Sequence, residues 1–131
     1  MKIVFRILSA LIGVLFFLNA VHWMVDADAA AEGLGMPLLT GIAASTQVGD
    51  LSAFFLTIAV FIGLGQRAGH ARWLVPAAML LAGAALMRSM AWLVGYSPFA
   101  TPFIVSEVVT AVILAYTYHL RSAESPADGG R

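Results

Sequence analysis

Four apolar stretches, each close to the length of one bilayer crossing, take up most of this 131-residue chain: Ile3 to Val25, about Ser45 to Gly65, Trp73 to Gly95 and about Pro102 to Leu120. About 20 residues rising ~1.5 Å each cross a ~30 Å hydrocarbon core, and a helix satisfies its own backbone there. The pattern predicts an all-α fold, an integral membrane four-helix bundle in one domain over residues 1–120, followed by a polar tail at 121–131 that reads as disordered. With 61% hydrophobic and 11% charged residues and a mean hydropathy of +0.92, the chain is more apolar than a soluble domain of this size can hide.

The boundary of the second segment is the hardest to place. Leu38 to Gly65 spans 28 residues, or ~42 Å if wholly helical, so its first part, Leu38 to Ala44, is expected at the interface or as a short re-entrant piece. Pro76 and Pro102 fall in the first turns of the third and fourth helices, where a missing N–H costs little. At the N-terminus, Lys2 and Arg6 before an apolar run and an Ala27-Asp28-Ala29 site resemble a secretory signal. That run is longer than the usual ~7–15 apolar residues and contains Asn19 and His22, so it is read as a retained helix.

Basic residues set the expected orientation. Lys2, Arg6, Arg67, Arg72, Arg121 and Arg131 flank the termini and the second loop, six of the seven Lys and Arg, while the first and third loops contain none. Under the positive-inside rule both termini face the cytoplasm, as in a multi-pass protein of a bacterial inner membrane. The formal net charge of zero points to no nucleic-acid partner, and without cysteine there is neither a disulfide framework nor a thiolate site.

The seventh basic residue, Arg88, lies within the third apolar stretch, and a bilayer-buried charge is by default a site hypothesis that needs a partner. Glu107, near the start of the fourth stretch, supplies one. Counted from the outer ends of their segments, Asn19, His22, Asp50, Arg88 and Glu107 all fall ~4–11 Å below the outer boundary, so four helices place polar groups in one layer. In contrast, the cytoplasmic halves read as almost purely apolar. The i, i+4 spacing of Arg88 and Trp92 predicts a guanidinium against the indole while it forks to a carboxylate, and Asn19 and His22 share a face at i, i+3. Trp23, Trp92 and Tyr96 read as an outer aromatic belt and Trp73 as an inner anchor; His70 and His119 read as solvated.

Two readings of the layer stay open. Arg88 with Glu107 and His22 with Asp50 are either inter-helical pairs that hold the bundle, or the polar lining of a pocket reached from the outer leaflet. The ligand-binding candidates are Asn19, His22, Asp50, Arg88, Trp92 and Glu107; for acid–base chemistry the candidates are His22, Asp50 and Glu107, with Arg88 stabilising an anion. The histidines are too scattered to form a metal site, no P-loop, G-x-G-x-x-G or G-x-S-x-G occurs, and no cofactor is indicated.

The first helix with Arg6, Gly13, Asn19 and His22, the loop ending Gly33-Leu34-Gly35-Met36-Pro37, Gly49-Asp50 in the second helix and the short basic loop after it resemble the DoxX-like group of small four-helix bacterial membrane proteins. Arg88, Gly95-Tyr96-Ser97-Pro98 and Glu107 are similar to a bacterial family of uncharacterised four-helix proteins. The group often carries glutamate where Asp50 stands, so no role is carried over to that position. The resemblance implies a compact inner-membrane bundle with an accessory or redox-linked role. The expected function is binding of a small amphipathic or lipid-like molecule, of the quinone or isoprenoid class, by a bilayer-embedded protein that is an accessory subunit of a complex or a homo-oligomer. The alternatives are an intramembrane isomerase or hydrolase and, less favoured, a proton-coupled transporter, which would need polar groups in the cytoplasmic half as well.

Overall fold

The structure is a computed structural model that describes residues 1–123, with no strand among them. In chain order the helices are α1 (Lys2–Val25), α2 (Ala27–Gly33), α3 (Gly41–Gly65), α4 (Leu74–Leu93), entered through a 3-10 turn at Ala71–Trp73, and α5 (Thr101–Ser122). All but α2 are long and apolar enough to cross a membrane. They form two hairpins, α1 with α3 and α4 with α5, and contacts of α3 with α4 and of α1 with α5 close the ring.

The core holds Ile58 and Ile62 of α3, Leu74, Ala77 and Leu81 of α4, and Ala111 and Leu114 of α5, with Ile12 and Phe16 of α1 packed on it. Large apolar residues are exposed on the outside as well, among them Leu11, Val14 and Leu15 of α1 and Val108 and Val112 of α5. A helix that is apolar all round fits a lipid exterior. Lipid offers no hydrophobic gain for association, so close backbone approach and dispersion must hold the helices together. Gly13 supplies one such approach, since a Cβ there would come 2.8 Å from Ile62 Cγ2. Gly65 supplies another, where a Cβ would meet Leu74 Cδ2 at 2.6 Å.

Several boundaries differ from the sequence expectation for local reasons. The third membrane-length segment was expected to run to Gly95; α4 stops at Leu93 because Gly95, at φ +81°, turns the chain left-handed. There the Gly95 N–H donates to Trp92 O (3.0 Å) and the Tyr96 N–H to Ala91 O (2.9 Å), the paired bonds of a Schellman end. The second segment starts at Gly41 rather than about Ser45, so Gly41 to Ala44 continue the helix instead of forming a re-entrant piece. At 25 residues α3 is about 37 Å long, which tilt or protrusion can accommodate. Arg121 and Ser122, expected in the tail, extend α5; residues 124–131 of that tail lie outside the described residues.

The first connection folds into a cap, which corrects the reading of Trp23 as a belt residue. Trp23 is 1% exposed and packs with Ala30 and Ala31 of α2, flanked by Leu34, Met36, Leu38, Val48, Leu51 and Phe55. The short helix forms because Asp26 caps it, its carboxylate accepting from the Ala29 N–H (3.2 Å). Gln47 of α3 then ties down the strap that follows: its Oε1 accepts from the Leu39 N–H (2.9 Å) and its Nε2 donates to Pro37 O (3.1 Å).

The opposite end of the bundle, which carries the start of α1 and the finish of α5, is also more polar than expected. Fully buried Ser9 accepts from Gln66 Nε2 (3.1 Å) and donates to Arg6 O (3.0 Å), and Thr117, 1% exposed, donates to Ile113 O (2.7 Å) and reaches Phe5 O (3.4 Å). Arg121 caps the end of α3, donating to the carbonyls of Gly65, Gln66 and Arg67, and Arg6 also donates to Gln66 O. Terminal helix carbonyls lack intrahelical partners and carry partial negative charge, so guanidinium groups collect there.

The contrast between two tryptophans tests the cap. Trp23→Ala is expected to cost about 3–5 kcal/mol by leaving a cavity, whereas Trp92→Ala, 47% exposed and packed edge-on against Phe99, should cost about 1 kcal/mol. Thermal unfolding of the two variants in the same detergent would measure both, and equal losses would place Trp23 outside the core.

Candidate functional site

Arg88 and Glu107 face each other across the α4–α5 hairpin, Nε donating to Oε1 at 2.9 Å. Arg88 lies five residues from the end of α4 and Glu107 six from the start of α5, depths of ~8 and ~9 Å at ~1.5 Å per residue. Facing neighbours in a tight antiparallel hairpin are residues about equally distant from its loop, which is why these two meet. The burial is unequal: the arginine side chain is 37% exposed and the glutamate side chain 11%. Arg88 therefore reaches from the edge of the bundle inward to a carboxylate held inside it.

The ring beneath the guanidinium is Phe103, its centroid 5.1 Å from Arg88 Cζ, and not Trp92 as the i, i+4 spacing had suggested. Phe103 and Glu107 are themselves i and i+4 on α5, so one face of that helix offers the arginine both an aromatic face and a carboxylate. Trp92 packs instead on Phe99 of the α4–α5 loop, with centroids 5.1 Å apart and planes at 66°. The hairpin is thus closed at its loop end by two contacts one turn apart, one ionic and one aromatic.

Glu107 Oε2 is buried and has no hydrogen-bond donor among the described residues. An ionised carboxylate offers about four acceptor positions, and leaving buried ones unmet costs on the order of 1–3 kcal/mol. One oxygen is committed to Arg88 and the other is left without a donor, in a layer where the arginine side chain is still 37% exposed.

The remaining polar residues of the expected layer are arranged separately. His22 and Asp50 are exposed and make no ion pair with each other or with the Arg88–Glu107 pair. Asn19 donates back to Leu15 O of its own helix (2.9 Å). These three lie on the α1–α3 hairpin, across the ring from α4 and α5. That hairpin carries its own apolar groove in the half near α2, about 490 Å³, bordered by Phe17, Ala20, Met24, Gly49, Ser52 and Leu56. Ser52 Oγ, on the same helix, is buried without a partner among the described residues. Among those residues no three His, Asp or Glu side chains come together in a way that could hold a metal ion.

Phe103 and Ser52 were not singled out from the sequence. Phe103 had a signal in its i−4 spacing from Glu107, but so did Trp92 from Arg88, and spacing alone ranks neither. No protein-family model, curated protein or solved structure matches the chain.

Removing one member of the pair should hurt more than removing both charges. Arg88→Ala strands a buried carboxylate and is expected to cost on the order of 1–3 kcal/mol, below the ~3–5 kcal/mol of a fully buried pair because the arginine is more than a third exposed. Arg88→Ala with Glu107→Gln should recover part of that loss. Folded yield and unfolding of the four proteins of this cycle would read the coupling; strict additivity would show that the contact carries no energy.

Proposed function

We propose that the chain is a multi-pass protein of a bacterial inner membrane, with both termini cytoplasmic, that holds a small amphipathic molecule of the quinone or isoprenoid class at the outer-leaflet end of the α4–α5 hairpin. The supporting observation is the second carboxylate oxygen of Glu107, Oε2, buried and without a donor among the described residues, beside an arginine whose side chain is 37% exposed. A ligand hydroxyl can donate to Oε2 while a ligand carbonyl or second oxygen accepts from the outer guanidinium N–H groups. Phe103, Trp92 and Phe99 supply flat apolar surface for a ring or an unsaturated chain. A molecule with a polar head and an apolar tail matches this graded environment, because its tail has lipid to enter and its head has a charge-assisted site.

Orientation rests on the positive-inside rule: the end carrying Lys2, Arg6, Arg67, Arg72 and Arg121 is the cytoplasmic one, and the capped end with Asp26, Asp28 and Glu32 faces outward. An accessory role in a larger membrane complex, as the DoxX-like resemblance implies, belongs to the same proposal. Acid–base catalysis has less support, since His22 and Asp50 do not meet Glu107.

The proposal can be tested by extracting the protein from its membrane in mild detergent and identifying co-purifying small molecules by mass spectrometry. A quinone or isoprenoid enriched over the bulk lipid extract is expected with the wild type. Glu107→Gln, which puts an amide N–H where Oε2 accepts, should lower its retention at least about ten-fold, the equivalent of ~1.4 kcal/mol. No enriched species, or unchanged retention in Glu107→Gln, would remove the basis for this reading.

A further inference from the structure

The basic end of the bundle contains a second site, independent of the α4–α5 pair. A pocket of about 370 Å³ opens between α1, the α3–α4 turn and the end of α5, bordered by Arg6, Gly69, Arg72, Tyr118, Arg121 and Ser122. Three guanidinium groups line it. The acidic residues of the described chain, Asp26, Asp28, Glu32, Asp50 and Glu107, lie in the cap or in the halves of the helices nearer to it, so none faces the pocket. Arg6 and Arg121 spend donors on the carbonyls of residues 65–67, which fixes their positions. The Arg72 side chain makes no hydrogen bond or ion pair among the described residues, and the residue is exposed and borders the pocket. Two held guanidinium groups and a third with uncommitted donors around a concave pocket, with Ser122 and Tyr118 at the wall, match the tetrahedral oxygens of a phosphate group.

What adjoins the pocket narrows the source of that phosphate. Arg72 also borders an apolar groove of about 490 Å³ formed with Trp73, Val75 and Pro76. Pro76 in turn borders a longer apolar groove of about 690 Å³ between α3 and α4, walled by Phe54, Phe61, Met79, Gly83 and Met87. From Arg72 to Gly83 is 11 residues, or about 16 Å along α4, the reach of an acyl chain from a headgroup toward mid-bilayer. We infer that this end binds an anionic phospholipid, its phosphate among Arg6, Arg72 and Arg121 and one acyl chain along the α4 groove. Basic pockets between membrane helices at the cytoplasmic interface recognise anionic headgroups in this manner.

Native mass spectrometry of the full chain, presented with phosphatidylglycerol, phosphatidylcholine or inorganic phosphate, tests the assignment. Retention of phosphatidylglycerol is expected to exceed that of phosphatidylcholine by about five-fold or more, and Arg72→Gln should lower phosphatidylglycerol retention about five-fold, since each basic residue near an anionic headgroup contributes on the order of a five-fold gain. Gly83→Leu fills the groove at a position where an added Cβ meets nothing within 4 Å, so the fold is kept while lipid retention falls. Unchanged melting of both variants separates binding from folding. Equal retention of the two lipids, or of phosphatidylglycerol by wild type and Arg72→Gln, overturns the site. Displacement of the lipid by inorganic phosphate together with indifference to Gly83→Leu overturns the lipid assignment and leaves a site for free phosphate. The test is silent on Glu107, so its outcome and that of the outer-leaflet proposal are read separately.

Discussion

A carboxylate inside an apolar bundle is tolerated only when a cation reaches it, and the contact between Glu107 and Arg88 is where the α4–α5 hairpin meets that constraint. The pair fixes more than a distance. The rotation of the two helices that brings Arg88 Nε within 2.9 Å of Glu107 Oε1 is also the one that packs Leu74, Ala77 and Leu81 of α4 and Ala111 and Leu114 of α5 in one core with Ile58 and Ile62 of α3. Because apolar side chains gain little by leaving lipid for one another, a directional contact has more influence on register here than it would in a water-soluble bundle. The same contact leaves one carboxylate oxygen unmet, and so ties the packing of the hairpin to its proposed chemistry.

The two ends of the molecule solve different problems. At the end bearing Arg6 and Arg121, helix C-termini expose carbonyls, and guanidinium groups satisfy them while Ser9, Gln66 and Thr117 link α1, α3 and α5 through the interior. At the other end the chain spends a short helix and a strap on covering Trp23, with Gln47 pinning the strap. Between the ends, packing relies on close approach at Gly13, and Gly65 brings α3 equally close to Leu74 of α4 at the Arg121 end. Polar groups therefore concentrate where backbone groups need partners or where a charge has been placed deliberately, and the middle of the bundle is left to dispersion.

Much of this was legible in the residues and some was not, for identifiable reasons. Apolar runs long enough to cross a bilayer announce helices because lipid permits few other structures, and the positions of Arg88 and Glu107 relative to their shared loop brought them level. The helix ends were misjudged where a glycine could be read either as the last helical residue or as the left-handed residue after it, as at Gly95, and where an apolar run such as Leu38 to Ala44 lacks a break. Trp23 looked like a belt residue because hydropathy cannot see that α2 folds over it. His22 and Asp50 shared a depth with the ion pair, but depth says nothing of angle around the bundle, and they lie on the other hairpin.

The sequence by itself determined that the chain is helical, that four helices are of membrane-crossing length, and that a buried-depth arginine would need a carboxylate, since each follows from the cost of moving backbone or charge into hydrocarbon. Only the tertiary structure decided which aromatic lies under Arg88, that Glu107 keeps one oxygen unmet, and that Arg6, Arg72 and Arg121 converge around a single pocket. Those outcomes depend on how far each helix is rotated about its axis and which neighbour it meets, quantities that residue spacing along one chain does not contain.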